Sequence, residues 1–216
     1  MRVDVVWQHL PWLLKGAGVT LELSVLSIAF ALVAGLGVAL LRQSGGPVAR
    51  TLIRGYVDVI RGTPLLVQLL IVFYVLPRVG LELSAFQAAV LALTLNSAAY
   101  VAEILRGGLL SVPRGQIEAS RGLGITAGQT MWRIVLPQLA GVVIPPLANE
   151  FVKLIKGTSV VSILAVIELT RSGQIIINTT FAAFEIYGTI GILYFALSMM
   201  LLATARRLEL RLTYYR

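Results

Sequence analysis

The sequence lacks cysteine entirely, has a single histidine and carries few charged residues. Without cysteine there is no disulfide framework and no thiolate metal site. The one histidine, His9, lies near the N-terminus, so the chain has no H-E-x-x-H motif and no comparable catalytic set. Charged residues make up 13% of the chain and hydrophobic residues 57%, whereas soluble domains are about 25% charged. The composition therefore predicts an integral membrane protein rather than a soluble enzyme.

The 216 residues and the mean hydropathy of +0.87 suit an all-α, polytopic membrane protein. About five spans of ~20 apolar residues fit this length, and we expect residues 1–216 to form a single transmembrane domain. The apolar runs place these spans near residues 18–41, 54–77, 85–107, 138–167 and 186–205. Residues 1–17 carry two tryptophans and a lysine, which favours a segment lying at the membrane interface, and no removable signal peptide is expected.

The distribution of arginine predicts the orientation of the chain, because cytoplasmic connections retain basic residues. The first and third connections and the C-terminal tail are rich in arginine: Arg42, Arg50, Arg54, Arg106, Arg114, Arg121, Arg133, Arg206, Arg207, Arg211 and Arg216. The second and fourth connections have only Arg78 and Arg171. We therefore expect the N-terminus outside and the C-terminus in the cytoplasm. The net charge of +8 is explained by topology, and a nucleic-acid partner is not expected.

The cytoplasmic loop between the third and fourth spans, about residues 108–137, has the pattern of two short helices. Residues 115–123 form the first, and Gly124 provides the break. Thr126 followed by Gln129 is a capping-box pattern that begins a second helix, which we expect to reach Val135. A loop with such regular structure favours a docking role, although helix caps are also common in loops that only face solvent.

The same loop contains a spaced set of residues: Glu118, Ala119, Ser120, Gly124, Ile134, Leu136 and Pro137. This set resembles the EAA coupling loop of the membrane-spanning subunits of bacterial ATP-binding-cassette importers. Ser120 departs from that pattern, in which a second alanine is usual, but serine is nearly as small. Residues 61–68 and 149–159 are similar to segments of the polar amino acid branch of these permeases. The resemblance covers nearly the whole chain.

The resemblance implies a set of partners in the bacterial inner membrane. These are a second permease subunit, identical or homologous, a dimer of ATPase subunits and an extracytoplasmic solute-binding protein, besides membrane lipid and an amino acid substrate. The chain has no G-x-x-x-x-G-K-[ST] motif, so it binds no cofactor of its own and ATP with Mg²⁺ is expected on the ATPase. Small side chains beside Glu118 would allow the ATPase to approach the loop closely, and Ile134 and Leu136 would anchor it to its own span.

Polar residues inside the spans are candidates for function, because a charge at the bilayer centre costs about 2.5–3.5 kcal/mol. The candidate substrate-binding residues are Thr63, Gln68, Asn96, Glu150, Lys153, Lys156, Thr158 and Ser159. Glu150 suits an ammonium or guanidinium group. A carboxylate of the substrate could bind to either lysine or to free backbone N–H groups near Thr158. We expect free N–H groups there because Pro145-Pro146 and Gly157 should each break the helix.

These residues also have purely structural interpretations, which the sequence leaves open. Glu150 and Lys153 are three residues apart, so they form an ion pair that would stabilise the bundle even without a substrate. Asn96 would form an interhelical hydrogen bond, and Thr63 with Gln68 would begin a kinked span. Glu103 is expected to pair with Arg106. The small residues of the first span serve packing within this chain or a dimer interface.

We therefore predict a permease subunit of an ATP-driven importer for polar amino acids that itself performs no bond chemistry. The alternative is a gradient-driven secondary transporter with Glu150 as the titrating group. A membrane-embedded enzyme is disfavoured because the chain lacks a metal or nucleophile set. Basic, acidic and amide side chains all remain open as substrates, with a slight preference for basic ones because of Glu150.

Overall fold

The computed structural model describes residues 3–213, and within them all regular structure is helical. The α-helices are α1 (Val3–Ser44), α2 (Pro47–Gly62), α3 (Leu65–Val75), α4 (Ala85–Ser111), α5 (Arg114–Gly122), α6 (Ala127–Thr130), α7 (Leu136–Gly157), α8 (Leu169–Thr180) and α9 (Ala183–Thr213). Two 3₁₀ segments, Leu76–Val79 and Thr158–Leu164, follow α3 and α7, and a π-helical turn, Met131–Val135, joins α6 to α7.

Four helical segments in this described part are long and apolar enough to cross a membrane: Asp4–Ser44, Ala85–Ser111, Ala127–Leu164 and Ala183–Leu210. A fifth span is obtained if the bent pair Pro47–Gly62 and Leu65–Val79 is counted as one. The predicted class, an all-α polytopic membrane protein with about five spans, is confirmed.

The first helix differs from the sequence prediction at its N-terminal end. We expected residues 1–17 to form a separate interfacial segment, but α1 runs without a break from Val3. Its N-terminal half packs against α8 and α9, where Leu13 and Ala17 are buried with Leu169 and Ile186. This burial explains why the helix continues across the expected boundary, since residues that pack into a core gain more than interfacial residues do.

The second span is broken in its middle. The chain bends by 112° between α2 and α3. The bend lies at Thr63 and Pro64, both of which have extended backbone conformations. A residue before proline is pushed out of the α region, so Thr63-Pro64 ends α2. Irregular backbone inside a bilayer is tolerated only where it is buried in protein or lines a cavity. The break therefore marks a position inside the bundle where a cavity is expected.

The fourth span is interrupted at one of the two predicted places. Helix α7 continues through Pro145 and Pro146, and the α-helix ends only at Gly157, where the 3₁₀ segment begins. Prolines are tolerated in membrane helices because neighbouring groups satisfy the backbone that they free. The expected break at the prolines is therefore wrong, whereas the one near Gly157 is observed.

Helix α8 was not predicted, and its first turn is held by a buried acid. Glu168 is fully buried and caps α8 by accepting hydrogen bonds from the backbone N–H groups of Thr170, at 2.9 Å, and Arg171, at 2.7 Å. Tyr194 of α9 donates its hydroxyl to the same carboxylate at 2.8 Å. This cap satisfies backbone donors that the first helical turn leaves free, and it joins α8 to α9.

The core lies where α4 packs against α1, α3 and the 3₁₀ segment after α7. Small residues of α4, including Ala88, Ala89 and Ala92, are almost fully buried there. In α1 the small residues at 31 and 35 also face α4: Ala31 is fully buried, and a Cβ added at Gly35 would lie 2.6 Å from Cγ1 of Val101. Packing within this chain therefore explains why the residues at positions 31 and 35 of α1 are small.

Replacing Gly35 by alanine is predicted to destabilise the protein. The added Cβ would also lie 3.0 Å from the backbone oxygen of Ala98, so the two helices must separate. Such overpacking costs about 1–3 kcal/mol, which outweighs the gain of at most about 1 kcal/mol from removing a helical glycine. Gly37→Ala is the matched control, since nothing lies within 4 Å of its added Cβ. Thermal unfolding in detergent should show a lower midpoint for Gly35→Ala only, and equal midpoints would contradict the packing argument.

Candidate functional site

A polar cavity of about 260 Å³ lies between the α2–α3 break, α4 and α7. It is lined by Thr63, Leu65, Leu93, Asn96, Tyr100, Glu150, Lys153, Leu154 and Gly157. Asn96 and Tyr100 are one turn apart near the middle of α4, so they share a face of that helix. Pockets for drug-sized ligands measure about 300–1,000 Å³, so this cavity suits a smaller polar solute.

Glu150 is the buried charge of the cavity, with 7% of its surface exposed. Its Oε1 accepts a hydrogen bond from the hydroxyl of Ser97 at 3.0 Å, and its Oε2 accepts one from Nζ of Lys153 at 3.2 Å. The predicted Glu150–Lys153 pair is confirmed. A buried carboxylate needs such partners because desolvation of an unpaired charge is costly.

Lys153 also contacts an aromatic ring that the sequence analysis missed. Its Nζ lies 3.2 Å from the centroid of the Tyr100 ring, and Cζ of Arg61 lies 5.5 Å from the same centroid. Both distances fall within the range of cation–π attraction, which is about 6 Å. Tyr100 follows Asn96 by four residues, and this spacing is the sequence feature that places it on the cavity face. The cavity therefore brings one cation, Lys153, and one carboxylate, Glu150, together beside an aromatic ring. Arg61 is exposed and lies outside the cavity lining, but it approaches the same ring.

Gln68 supports the cavity from the broken span. Its Nε2 donates to the backbone oxygens of Ile60, at 2.8 Å, and Thr63, at 3.1 Å, and lies 2.9 Å from Oγ1 of Thr63. Its Oε1 accepts a hydrogen bond from Nδ2 of Asn96 at 2.9 Å. Gln68 thus satisfies carbonyl groups that the helix break leaves free and fixes Asn96 at the cavity wall.

Three of the predicted substrate residues lie away from the cavity lining. Lys156 is exposed, and Ser159 donates its hydroxyl back to the backbone oxygen of Lys156 at 2.8 Å. Thr158 is fully buried, and its hydroxyl donates to the backbone oxygen of Ile155. The N–H of Thr158 already bonds carbonyl oxygens of the last turn of α7, so the freed donors that we expected there are absent at this residue. We therefore leave these three residues out of the site.

The 108–137 loop folds close to its predicted pattern. Helix α5 ends at Gly122, and Gly124 adopts a φ of +75°, a left-handed conformation that favours glycine. The capping box of Thr126 and Gln129 is formed in both directions. The second helix differs, because its α-helical part ends at Thr130 and a π-helical turn leads directly into α7. The loop is therefore continuous with the span that carries Glu150.

Ser120 does not have the exposed role that its small size suggested. It is buried, with 2% of its surface exposed, and its hydroxyl lies 2.9 Å from Oγ1 of Thr130 and donates to the backbone oxygen of Ile117 at 2.8 Å. The departure from alanine at this position thus adds a hydrogen bond between α5 and α6. Glu118 and Ala119 are exposed, whereas Ile134 and Leu136 are half-buried beside the buried Val135.

The 108–137 loop exposes large apolar side chains to solvent. Leu123 is 80% exposed and Trp132 is 74% exposed, and part of Met131 is uncovered too. Large apolar groups that are exposed on a loop which also carries the charged Glu118 are costly in water unless a partner covers them. This surface, which we call the docking surface and define by Glu118, Leu123, Met131 and Trp132, is suited to contact another protein.

The charges near the C-terminal end of α4 are paired with each other. Glu103 accepts hydrogen bonds from Nη1 of Arg42, at 2.8 Å, and Nε of Arg106, at 3.0 Å. The predicted Glu103–Arg106 pair is confirmed, and Arg42 joins it to α1. In the part of the chain that the structure covers, no group of three or more histidine, aspartate or glutamate side chains is placed to hold a metal ion.

Comparison with known proteins shows relatives over nearly the full length. The family model described as "Binding-protein-dependent transport system inner membrane component" matches residues 27–214. The glutamine transport system permease protein GlnP of Escherichia coli (strain K12) is 39% identical over 211 residues, covering 97% of this chain and 96% of that protein. The L-cystine transport system permease protein TcyB of Bacillus subtilis (strain 168) is 45% identical over 172 residues, covering 79% and 74%.

Two solved structures share the fold. The crystal structure of an amino acid ABC transporter with histidines superposes with a TM-score of 0.88 at 37% identity, covering 95% of this chain and 96% of that one. The MetNI methionine ABC transporter in an inward-facing conformation gives a TM-score of 0.75 at 22% identity, covering 98% and 99%. The second likeness is one of fold alone.

The energetic link between Glu150 and Lys153 can be tested by a double-mutant cycle. Lys153→Met leaves the carboxylate with Ser97 alone, so we expect a loss of about 1–3 kcal/mol of unfolding free energy. The loss should stay below the ~3–5 kcal/mol of a fully buried pair, because the lysine side chain is 51% exposed. In a Glu150→Gln background the same change should cost much less, as measured by thermal unfolding. Equal costs in both backgrounds would show that the pair contributes nothing.

Proposed function

This chain belongs to the family of inner membrane components of binding-protein-dependent transport systems, and on that premise we propose that it is the permease subunit of an ATP-driven importer of polar amino acids. The observation that carries the proposal is the polar cavity between α4 and α7, in which a buried carboxylate and a lysine lie beside one aromatic ring. Such charges are expensive at membrane depth and mark a substrate pathway. Permeases for glutamine and cystine among the relatives support the amino acid class.

The charges of the cavity match the zwitterion common to all amino acids. The Glu150 carboxylate suits the α-ammonium group, and Lys153 and Arg61 suit the α-carboxylate. To reach Glu150, the ammonium group must displace Nζ of Lys153, which lies 3.2 Å from Oε2 of Glu150. Asn96 and Thr63 are left to contact a polar side chain. Among the described residues that line the cavity, Glu150 is the one acid, and the α-ammonium group would occupy it, so no acid of the lining remains for a basic side chain. This geometry therefore favours neutral polar side chains over the basic ones preferred from sequence.

The energy source is proposed to be a separate ATPase that binds the docking surface in the cytoplasm. This assignment places the N-terminus outside and the C-terminus inside, as the distribution of arginine predicts. ATP and Mg²⁺ would be held by the ATPase dimer, and a second permease subunit and an external binding protein would complete the assembly. ATP-driven closure of the ATPase would move the loop and shift the cavity between inward-facing and outward-facing states, a change between two discrete arrangements.

Uptake into proteoliposomes tests this function directly. The vesicles contain the chain, its ATPase and its binding protein, and they are offered radiolabelled glutamine, histidine, arginine and glutamate. We expect accumulation only with ATP, with glutamine preferred to arginine. Glu150→Gln should reduce uptake at least tenfold because it removes the counterion for the α-ammonium group, whereas Glu82→Gln, an exposed acid outside the helices, serves as the matched control and should transport normally.

The same experiment distinguishes the alternative. Accumulation that follows an imposed proton or sodium gradient without ATP would show a secondary transporter with Glu150 as the titrating group. In that case the importer proposal is wrong. Normal uptake by Glu150→Gln in the presence of ATP would support the importer proposal but would show that the substrate does not bind at Glu150.

The docking surface makes a separate prediction about assembly. Leu123→Ser and Trp132→Ser should each reduce co-purification of the ATPase at least fivefold, because burial of a large apolar side chain contributes about 1.5–3 kcal/mol. Val33→Ser is the matched control, since Val33 is 74% exposed but lies in the apolar middle of α1. Unchanged ATPase retention in both loop variants, with the permease still folded, would show that the ATPase docks elsewhere.

A further inference from the structure

A second cavity, unrelated to the substrate site, lies where α1 ends, α2 begins and α4 meets the 108–137 loop. It measures about 440 Å³ and contains four arginines, Arg42, Arg50, Arg54 and Arg106. Glu103 pairs with two of them, Arg42 and Arg106. Within residues 3–213, Arg50 and Arg54 form no ion pair with an acidic side chain. The cavity therefore has an excess of positive charge, and two of its guanidinium groups make no ion pair with an acid among the described residues.

The remaining lining of this cavity is apolar. It consists of Ala39, Leu109, Leu110, Ile117, Met131 and Val135, together with the polar Gln43. Leu110 is 68% exposed and Met131 is 38% exposed. A small soluble anion would use the arginines but would gain nothing from an exposed leucine. A molecule with both an anionic group and a hydrocarbon chain would contact both parts of the lining.

The position of the cavity along the spans indicates which molecule this is. Arg42 lies in the last turn of the apolar helix α1, and Arg50 lies in the first turns of α2, which is more polar. Because the headgroups of a bilayer begin where an apolar span ends, Arg42 and Arg50 lie at the level of the headgroups. Basic pockets between spans at this level bind anionic lipid headgroups, because the planar guanidinium group forms paired hydrogen bonds with phosphate oxygens. The apolar lining then lies beside the acyl chains.

We propose that this cavity, the arginine pocket, binds the phosphate headgroup of an anionic phospholipid, with Arg50 and Arg54 as its principal ligands. The lipid comes from the cytoplasmic leaflet, in the orientation given above, and the proposal does not depend on the identity of the transported solute. Ile117 belongs to α5, and Met131 to the π-helical turn, so the bound lipid also contacts both halves of the loop. The lipid thereby stabilises the position of the loop relative to the ends of α1 and α2.

The test uses the intact complex with its ATPase, titrated in detergent with phosphatidylglycerol or phosphatidylcholine and read by native mass spectrometry. Wild type should bind phosphatidylglycerol at least tenfold more tightly than phosphatidylcholine. Arg50→Gln combined with Arg54→Gln should weaken phosphatidylglycerol binding about thirtyfold, which corresponds to about 1 kcal/mol for each arginine. The Arg50→Lys and Arg54→Lys pair keeps the charge but loses the paired hydrogen bonds of the guanidinium groups. It should bind phosphatidylglycerol more weakly than wild type and more tightly than the glutamine pair, which separates the loss of charge from misfolding.

The matched control removes the same charge from the same side of the membrane. Arg206→Gln with Arg207→Gln, near the end of α9, should change binding less than twofold. Equal weakening of phosphatidylglycerol binding by the two glutamine pairs would show that the lipid is attracted by the positive surface in general. Unchanged binding in the Arg50 and Arg54 glutamine pair would show that the lipid binds elsewhere. Either result overturns the proposal. Competition by glycerol 3-phosphate as strong as that by the lipid would identify a soluble anion as the occupant. Binding of the lipid only after removal of the ATPase would identify the ATPase as the partner of this surface.

Discussion

The break of the second span at Thr63-Pro64 is the constraint on which the site depends. Carbonyl groups freed at membrane depth have no water to bond, and each one left unsatisfied costs several kcal/mol. The amide of Gln68 meets this need by donating to the carbonyls of Ile60 and Thr63. Its remaining acceptor holds Asn96 of α4. The groups that repair the broken helix are thus the same groups that fix one wall of the cavity.

The two helices that bound the 108–137 loop are also the two that carry most of the cavity. Helix α4 bears Ser97 and Tyr100 in its middle and leads into the loop, and α7 leaves the loop and bears Glu150. In the proposed function, a displacement of the loop would be transmitted along these two helices, which are joined by the Ser97–Glu150 hydrogen bond. Since the charges of the cavity are already paired within the protein, a movement that separates α4 from α7 would expose Glu150 and Lys153 to a substrate.

Sequence reasoning succeeded where the determining contacts are local. In the capping box at Thr126 and in the ion pair of Glu150, the two partners are three positions apart in the sequence, so spacing alone predicts both interactions. It failed where packing between distant segments decides. Tyr100 and Arg61 meet only because α2 and α4 are neighbours, and Ser120 turns inward because a hydroxyl on α6 is available to it. The continuity of α1 likewise accompanies burial against α8 and α9, which no local pattern records.

We propose that the cavity between α4 and α7 is the transport site. An electron cryomicroscopy structure of the assembled transporter at a saturating concentration of glutamine would show where the substrate binds. We expect an amino acid in the cavity, with its ammonium group on Glu150 and Nζ of Lys153 moved off the Tyr100 ring. Bound substrate at another place, with Lys153 still 3.2 Å from Glu150 and from the ring centroid, would contradict it.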